Sequence, residues 1–205
     1  MRTAPSLLTT LVSVLALCRC LAAQPSPGEL AAQIAQGRAA KDSLLRHAAD
    51  SPIPEPQRPR FAGLRYFAID LRYRVPCELH RYGRPRQVEV PTTDGRSMPM
   101  ERLGLLRGHL GSVSFSLLVY RSLEDNALLV PFTDPTNGRQ TYGGGRYVHV
   151  QVEEDGRHVL DFNTAYNPYC AYNADYICPV PPPQNRLPVP VPAGEMAYGG
   201  SDVAH

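Results

Sequence analysis

From residue 112 to 119 apolar and hydroxyl side chains alternate, with Val113, Phe115, Leu117 and Val119 set between Ser112, Ser114 and Ser116. A period of two puts the two sets on opposite faces of a half-buried strand. Short runs of strand character recur at Tyr73–Leu79, Arg86–Val90, Met98–Leu106, Leu128–Phe132, Arg146–Val152 and Val159–Phe162. They follow one another without crossover helices, which predicts an antiparallel meander. Asp94-Gly95 and Asp155-Gly156 favour two-residue type I′ hairpins, in which both positions take positive φ. The expected fold class is all-β, a small antiparallel meander sandwich or partly closed barrel.

Ahead of the strands the period is helical. Ser26-Pro27-Gly28-Glu29 reads as a capping box with proline at the first helical position. Leu30, Ile34, Leu44, Leu45 and Ala48 then recur at helical spacing, with Gly37 weakening the middle. This N-terminal helix, residues 24–50, is expected to pack on the domain edge. Residues 51–60 carry four prolines and read as an extended linker. The β domain spans 61–195. Its last segment, beginning Cys178-Pro179-Val180-Pro181-Pro182-Pro183, cannot enter a sheet interior because proline lacks the ladder donor. It is expected to wrap the domain as polyproline II, touching it through Leu187, Val189 and Val191. Residues 196–205 read as a disordered tail.

Composition narrows the partners. The 205 residues, 43% hydrophobic and 20% charged, suit one main domain with tails. Arg2 and Arg19 are the only charged side chains among the first 23, and the remaining 19 basic and 19 acidic residues cancel. Without a basic field, neither nucleic acid nor anionic lipid is an expected partner. The opening stretch reads as a signal peptide, residues 1–23. Arg2 supplies the positive end, and Ser6–Leu17 is an apolar run shorter than the roughly 20 residues that span a bilayer. No transmembrane segment is therefore expected, and Leu21-Ala22-Ala23 sets cleavage before Gln24. Leu15-Ala16-Leu17-Cys18 competes as a lipoprotein signal, although Leu17 stands where a small residue is expected. Export to the periplasm or beyond permits disulfides, and the mature chain keeps Cys77, Cys170 and Cys178.

Polar chemistry gathers in one window. Six of the eleven tyrosines (Tyr142, Tyr147, Tyr166, Tyr169, Tyr172 and Tyr176) lie within 35 residues, beside Gly143-Gly144-Gly145-Arg146, Asp161, Asn163 and Asn167. If Asp155-Gly156 is a two-residue loop, Val152 faces Val159, Val150 faces Asp161, Val148 faces Asn163 and Arg146 faces Ala165. Alternation then gathers Arg146, Asp161 and Asn163 on the valine-rich face turned inward. A buried guanidinium must meet an acid, and Asp134 or Asp161 can supply one. Two readings stand. The cluster staples a loop to the sheet, or Arg146 keeps donors free for a planar anion, with Gly144 and Gly145 letting the backbone approach it. Gly-Gly-Gly-Arg is no phosphate-binding loop, because no Gly-Lys-Ser/Thr and no helix follow.

Cys170 and Cys178 enclose seven residues and are candidates for a short disulfide. No Cys-x-x-Cys or His-x-His spacing completes a metal site, and no cofactor is implied. A nucleophilic Cys170 would need a base such as His149 or His158, and Cys77 reads as a buried free thiol.

The segments Phe61–Phe67 (FAGLRYF), Pro91–Gly95 (PTTDG), Val130–Asp134 (VPFTD), Thr141–Tyr147 (TYGGGRY), Leu160–Tyr172 (LDFNTAYNPYCAY) and Cys178–Leu187 (CPVPPPQNRL) resemble the bacterial domain of unknown function 1684. The resemblance covers about residues 38–195 and implies no particular activity. It does imply that many members lack export signals. If the two cysteines match in those members, a disulfide is not their only purpose. The leading expectation is an exported domain binding a small anionic molecule. Arg146 would hold the anion, and Asp161 and Asn163, with Asp134 as a candidate acid partner, would orient Arg146. Tyr142, Tyr169 and Tyr172 would line the walls, and Asn167 joins them as a candidate ligand-binding residue. The alternatives are an enzyme using Cys170 or a tyrosine in that pocket, and a cell-envelope interaction module presenting the proline-rich segment.

Overall fold

The computed structural model describes residues 25–122 and 126–199. The stretch expected to be a signal peptide, with its Cys18 alternative, and the chain from residue 200 lie outside the described residues. Six strands form a closed barrel in chain order: β1 (Arg74–Pro91), β2 (Ser97–Leu110), β3 (Val113–Arg121), β4 (Leu128–Phe132), β5 (Arg146–Val152) and β6 (His158–Asp161). Every neighbouring pair is antiparallel, and β6 closes the ring on β1 through Arg74–Cys77 opposite His158–Asp161. Closure gives every strand two neighbours, although β1 beyond Cys77 pairs with β2 alone and β3 meets β4 only at Tyr120 and Arg121. The two runs expected at 73–79 and 86–90 are one long strand, whose register shifts between Arg81 and Arg86. Leu106, Leu117, Val119, Val130, Val148 and Leu160 fill the interior. Phe162 meets Phe115 and Phe132 edge-on at ring-centre distances of 6.3 and 5.2 Å.

Both Asp-Gly turns differ from expectation by one residue. Glu153 pairs with Arg157, and Thr92 with Arg96, so each loop holds three residues. Only the glycines, Gly95 at φ 80° and Gly156 at φ 83°, take positive φ. This is a type I turn closed by a glycine bulge rather than a type I′ turn. Each aspartate accepts from the arginine two residues on, Asp94 from Arg96 and Asp155 from Arg157. The observed register sets Val152 opposite His158 and Val150 opposite Leu160. A one-residue slip exchanges strand faces, so Leu160 and Phe162 point into the core while Asp161 points away from Val148 and Val150.

The helix, α1 (Pro27–His47), starts on the capping box, with Ser26 and Glu29 each bonded to the other's backbone N–H. Residues 51–60 are not an extended linker. Ile53 is fully buried beside Leu45, Phe61 and Tyr172, and Glu55–Arg60 forms a 3-10 helix. The Arg58 guanidinium gathers the carbonyl oxygens of Ala48, Ala49, Ser51 and Ile53, which folds the segment onto the helix end. The proline-rich C-terminal segment crosses the barrel and sends Leu187, Val191 and Ala193 into the main core. Residues 196–198, expected in the tail, are docked. Met196 N–H bonds Arg65 O, Ala197 N–H bonds Gln140 O, and the Tyr198 ring packs on Tyr172 at 5.2 Å.

Candidate functional site

The residues that the sequence groups into one pocket lie in three places. Arg146 opens β5 and is completely buried. It pairs with Asp134 at 3.1 Å and donates to the carbonyls of Val191, Ala193 and Glu195. Its planar face lies 5.2 Å from the Phe132 ring centre. Asp134 is equally occupied, accepting from Thr136 through Oδ1 and from Val191 N–H through Oδ2. Its Nε has no hydrogen-bond partner but is sealed in the interior, and its acid is Asp134, not Asp161. This pair pins the start of β5, the 134–137 turn and the C-terminal strap together. A Cβ on Gly145 would strike Pro181 Cγ at 2.7 Å and Phe132 O at 2.8 Å, so its glycine serves close packing on that strap. Gly144 sits beside the Tyr142 ring.

The second group faces α1. Asp161 and Asn163 line an open cleft of about 350 Å³ between the helix and the outer wall of the barrel. Asp161 Oδ1 accepts from the N–H and side-chain amide of Asn163, whose amide also clasps the backbone of Asp70. Asn167 and Tyr172 stand behind the cleft on buried Glu195, donating to its Oε2 at 2.8 and 2.5 Å. Burial and the neighbouring Glu195 push the Tyr172 hydroxyl well above its ordinary value. The third group lies elsewhere, on the flank holding the cysteines. The Tyr142 hydroxyl is 3.9 Å from Cys170 Sγ, and half-exposed Tyr169 packs edge-on against Tyr176 at 5.3 Å. Cys170 and Cys178 are neighbours there, present as thiols.

Arg38, Lys41, Arg74, Tyr66 and Glu195 are among the cleft residues that escaped the sequence reading. Ile34, Arg38, Lys41 and Leu45 form a single helical stripe, of which only Ile34 and Leu45 are apolar and buried. A cation in that stripe must find acceptors, and this signal was available. Arg38 donates to Phe67 O at 2.8 Å and Asn163 O at 3.0 Å, while its Nε has no partner. Its guanidinium lies 4.6 Å from the Tyr66 ring centre. Burial lowers its pKa, offset in part by Tyr66, Asp161 and Glu195. Lys41 pairs with Glu195 at 2.6 Å and lies 4.7 Å from the Tyr166 ring centre. Arg74 reaches the cleft from β1 and pairs with Glu153. Of these three cations only Arg38 forms no salt bridge among the described residues.

The lining also carries apolar surface, from Leu30, Ile34, Ala165 and the rings of Tyr66 and Tyr166. Gly37 stands at the rim in mid-helix, and a Cβ there would meet nothing within 4 Å. The arrangement suits a small molecule with one charged end and an apolar body. Among the described residues no group of three His, Cys, Asp or Glu is placed to hold a metal ion. No helix among them is long and apolar enough to cross a membrane.

Residues 59–196 match the family described as Protein of unknown function (DUF1684). The chain belongs to this family. A solved structure with the same fold, an uncharacterized protein of Haloarcula marismortui, is 36% identical, with a TM-score of 0.65. The match covers 82% of this chain and 95% of that one. Residues 59–205 alone cannot supply that share, so the likeness reaches into the segment ahead of the DUF1684 region. No curated protein matches the chain.

Proposed function

We propose that this DUF1684 protein is exported and binds a small anionic molecule with an apolar body in the cleft beneath α1. The observation that carries the reading is Arg38. It is half-buried beside a cavity, bonded only to carbonyls, and has no salt-bridge partner among the described residues. A carboxylate or phosphate in the cleft would supply the missing counter-charge beside its guanidinium. The cavity's size falls within the range of small-molecule sites. Gly37 adds support, because glycine in mid-helix costs about 1 kcal/mol relative to alanine and here leaves the rim open. Relative to the pocket expected around Arg146, the proposed anion site moves to Arg38, while Asp161 and Asn163 keep a place in its wall.

The test is to fill the cleft without damaging the fold. Gly37→Leu adds a good helix former pointing into open space, so its melting temperature should equal or exceed the parent's. A thermal-shift panel of aliphatic and aromatic carboxylates and phosphate monoesters should yield a stabilising compound for the parent and none of that stabilisation for Gly37→Leu. An undiminished shift in the variant overturns the cleft as the site. For export, the N-terminus of the chain recovered from its own host should be Gln24. An intact N-terminus in the cytoplasm overturns that part.

A further inference from the structure

On the flank away from the cleft, Cys170 and Cys178 sit on unequal footings. Cys178 is buried above Val90, Met100, Leu118 and Tyr120. Its backbone is held on the β1–β2 loop, with Thr93 N–H donating to Cys178 O at 3.0 Å and Cys178 N–H donating to Thr93 Oγ1 at 3.2 Å. The next residue is fixed as well, because the Tyr147 hydroxyl donates to Pro179 O. Cys170 is half-buried on the 3-10 turn Tyr169–Ala171, where its N–H donates to Cys178 Sγ at 3.3 Å. The Tyr142 hydroxyl lies 3.9 Å from its sulfur. One thiol is reachable and supplied with donors, and the other is fixed directly behind it.

We propose that Cys170 and Cys178 form a reversible dithiol–disulfide couple that exchanges with low-molecular-weight disulfides, Cys170 attacking and Cys178 resolving. In the first step the Cys170 thiolate attacks one sulfur of the small disulfide, forming a mixed disulfide and expelling one small thiolate. In the second step Cys178, having lost its proton to solvent or to a thiolate, attacks Cys170 Sγ. The Cys170–Cys178 bond forms and the second small thiolate leaves. The protein loses two electrons and two protons, and the small disulfide gains the electrons as two thiols.

The electrostatics agree with these roles. Donation from the Cys178 thiol, with a smaller contribution from the Tyr142 hydroxyl, holds Cys170 down to about 7 despite burial. The same hydrogen bond and burial push Cys178 up. Cys77 is pushed up to about 12 by burial, which makes it the internal control. The thiolate fraction of Cys170 should rise between pH 6 and pH 8, and the rate of the first step with it.

The experiment uses the full chain carrying Cys18→Ser and Cys20→Ser, reduced and then treated with 5,5′-dithiobis(2-nitrobenzoate). Two equivalents of nitrothiobenzoate should be released, faster at pH 8 than at pH 6, leaving a Cys170–Cys178 bridge by peptide mapping and Cys77 free. Cys178→Ser, or Cys178→Ala if serine is not tolerated there, should release one equivalent and keep a stable adduct on Cys170. Excess reduced glutathione should reopen the bridge. A lasting adduct on Cys170 while Cys178 is present, or no reaction at Cys170 at pH 8, overturns the proposal. A bridge that survives glutathione also overturns it, because that bond would be a structural disulfide.

Discussion

Arg146 and Arg38 do similar work in unlike surroundings. Each guanidinium draws carbonyl oxygens from separate stretches of chain, Arg146 from the C-terminal strap and Arg38 from Phe67 and Asn163. Arg146 is sealed and has its own acid, Asp134 at 3.1 Å. Arg38 borders a cavity and has none. A buried charge with a dedicated partner is structural, because removing either half leaves the other uncompensated. A half-wet charge that is bonded only to carbonyls holds its element in place and still attracts an anion. Arginine type and a polar neighbourhood therefore do not distinguish staple from site; the presence of a local counter-charge and adjoining space does.

The largest expected effect breaks the staple. Arg146→Met should cost about 3–5 kcal/mol, since Asp134 would remain buried and unpaired, and urea unfolding at neutral pH reads the loss directly. Arg38→Met should cost less, about 1–2 kcal/mol for hydrogen bonds at a partly hydrated position, and should remove any carboxylate-linked thermal shift. If the two substitutions prove equally damaging, Arg38 is a second staple and the contrast fails. The smallest effect sharpens it. Gly37→Ala should gain about 0.5–1 kcal/mol while keeping carboxylate binding, because one methyl group does not fill the cleft. A loss of stability there would mean that the rim is closed.

Much of the fold was legible. Alternation in residues 112–119 marked β3, and the Ser26–Glu29 box marked the start of α1, because both signals are carried by neighbours in sequence. Proline content did mislead at 55–60, where long-range carbonyl capture by Arg58 folds the segment. The candidate site was less legible, and a single turn explains most of the difference. Asp-Gly serves a two-residue turn and a three-residue turn equally well, and the choice moves Asp161 from the core face to the helix face. The repeated Asp-Gly-Arg at 94–96 and 155–157 was a usable clue, since the arginine's bonds to the aspartate suit the longer loop.

The sequence by itself determined the strand order, the helix and its cap, the turn positions and the family, because each is written in local period or in contiguous motif. Only the tertiary structure decided which arginine met an acid, what space remained under α1, and which cysteine lay behind the other. Those depend on register and on contacts such as Arg146 with the strap more than forty residues away, and no local pattern encodes a distance that closing the barrel creates.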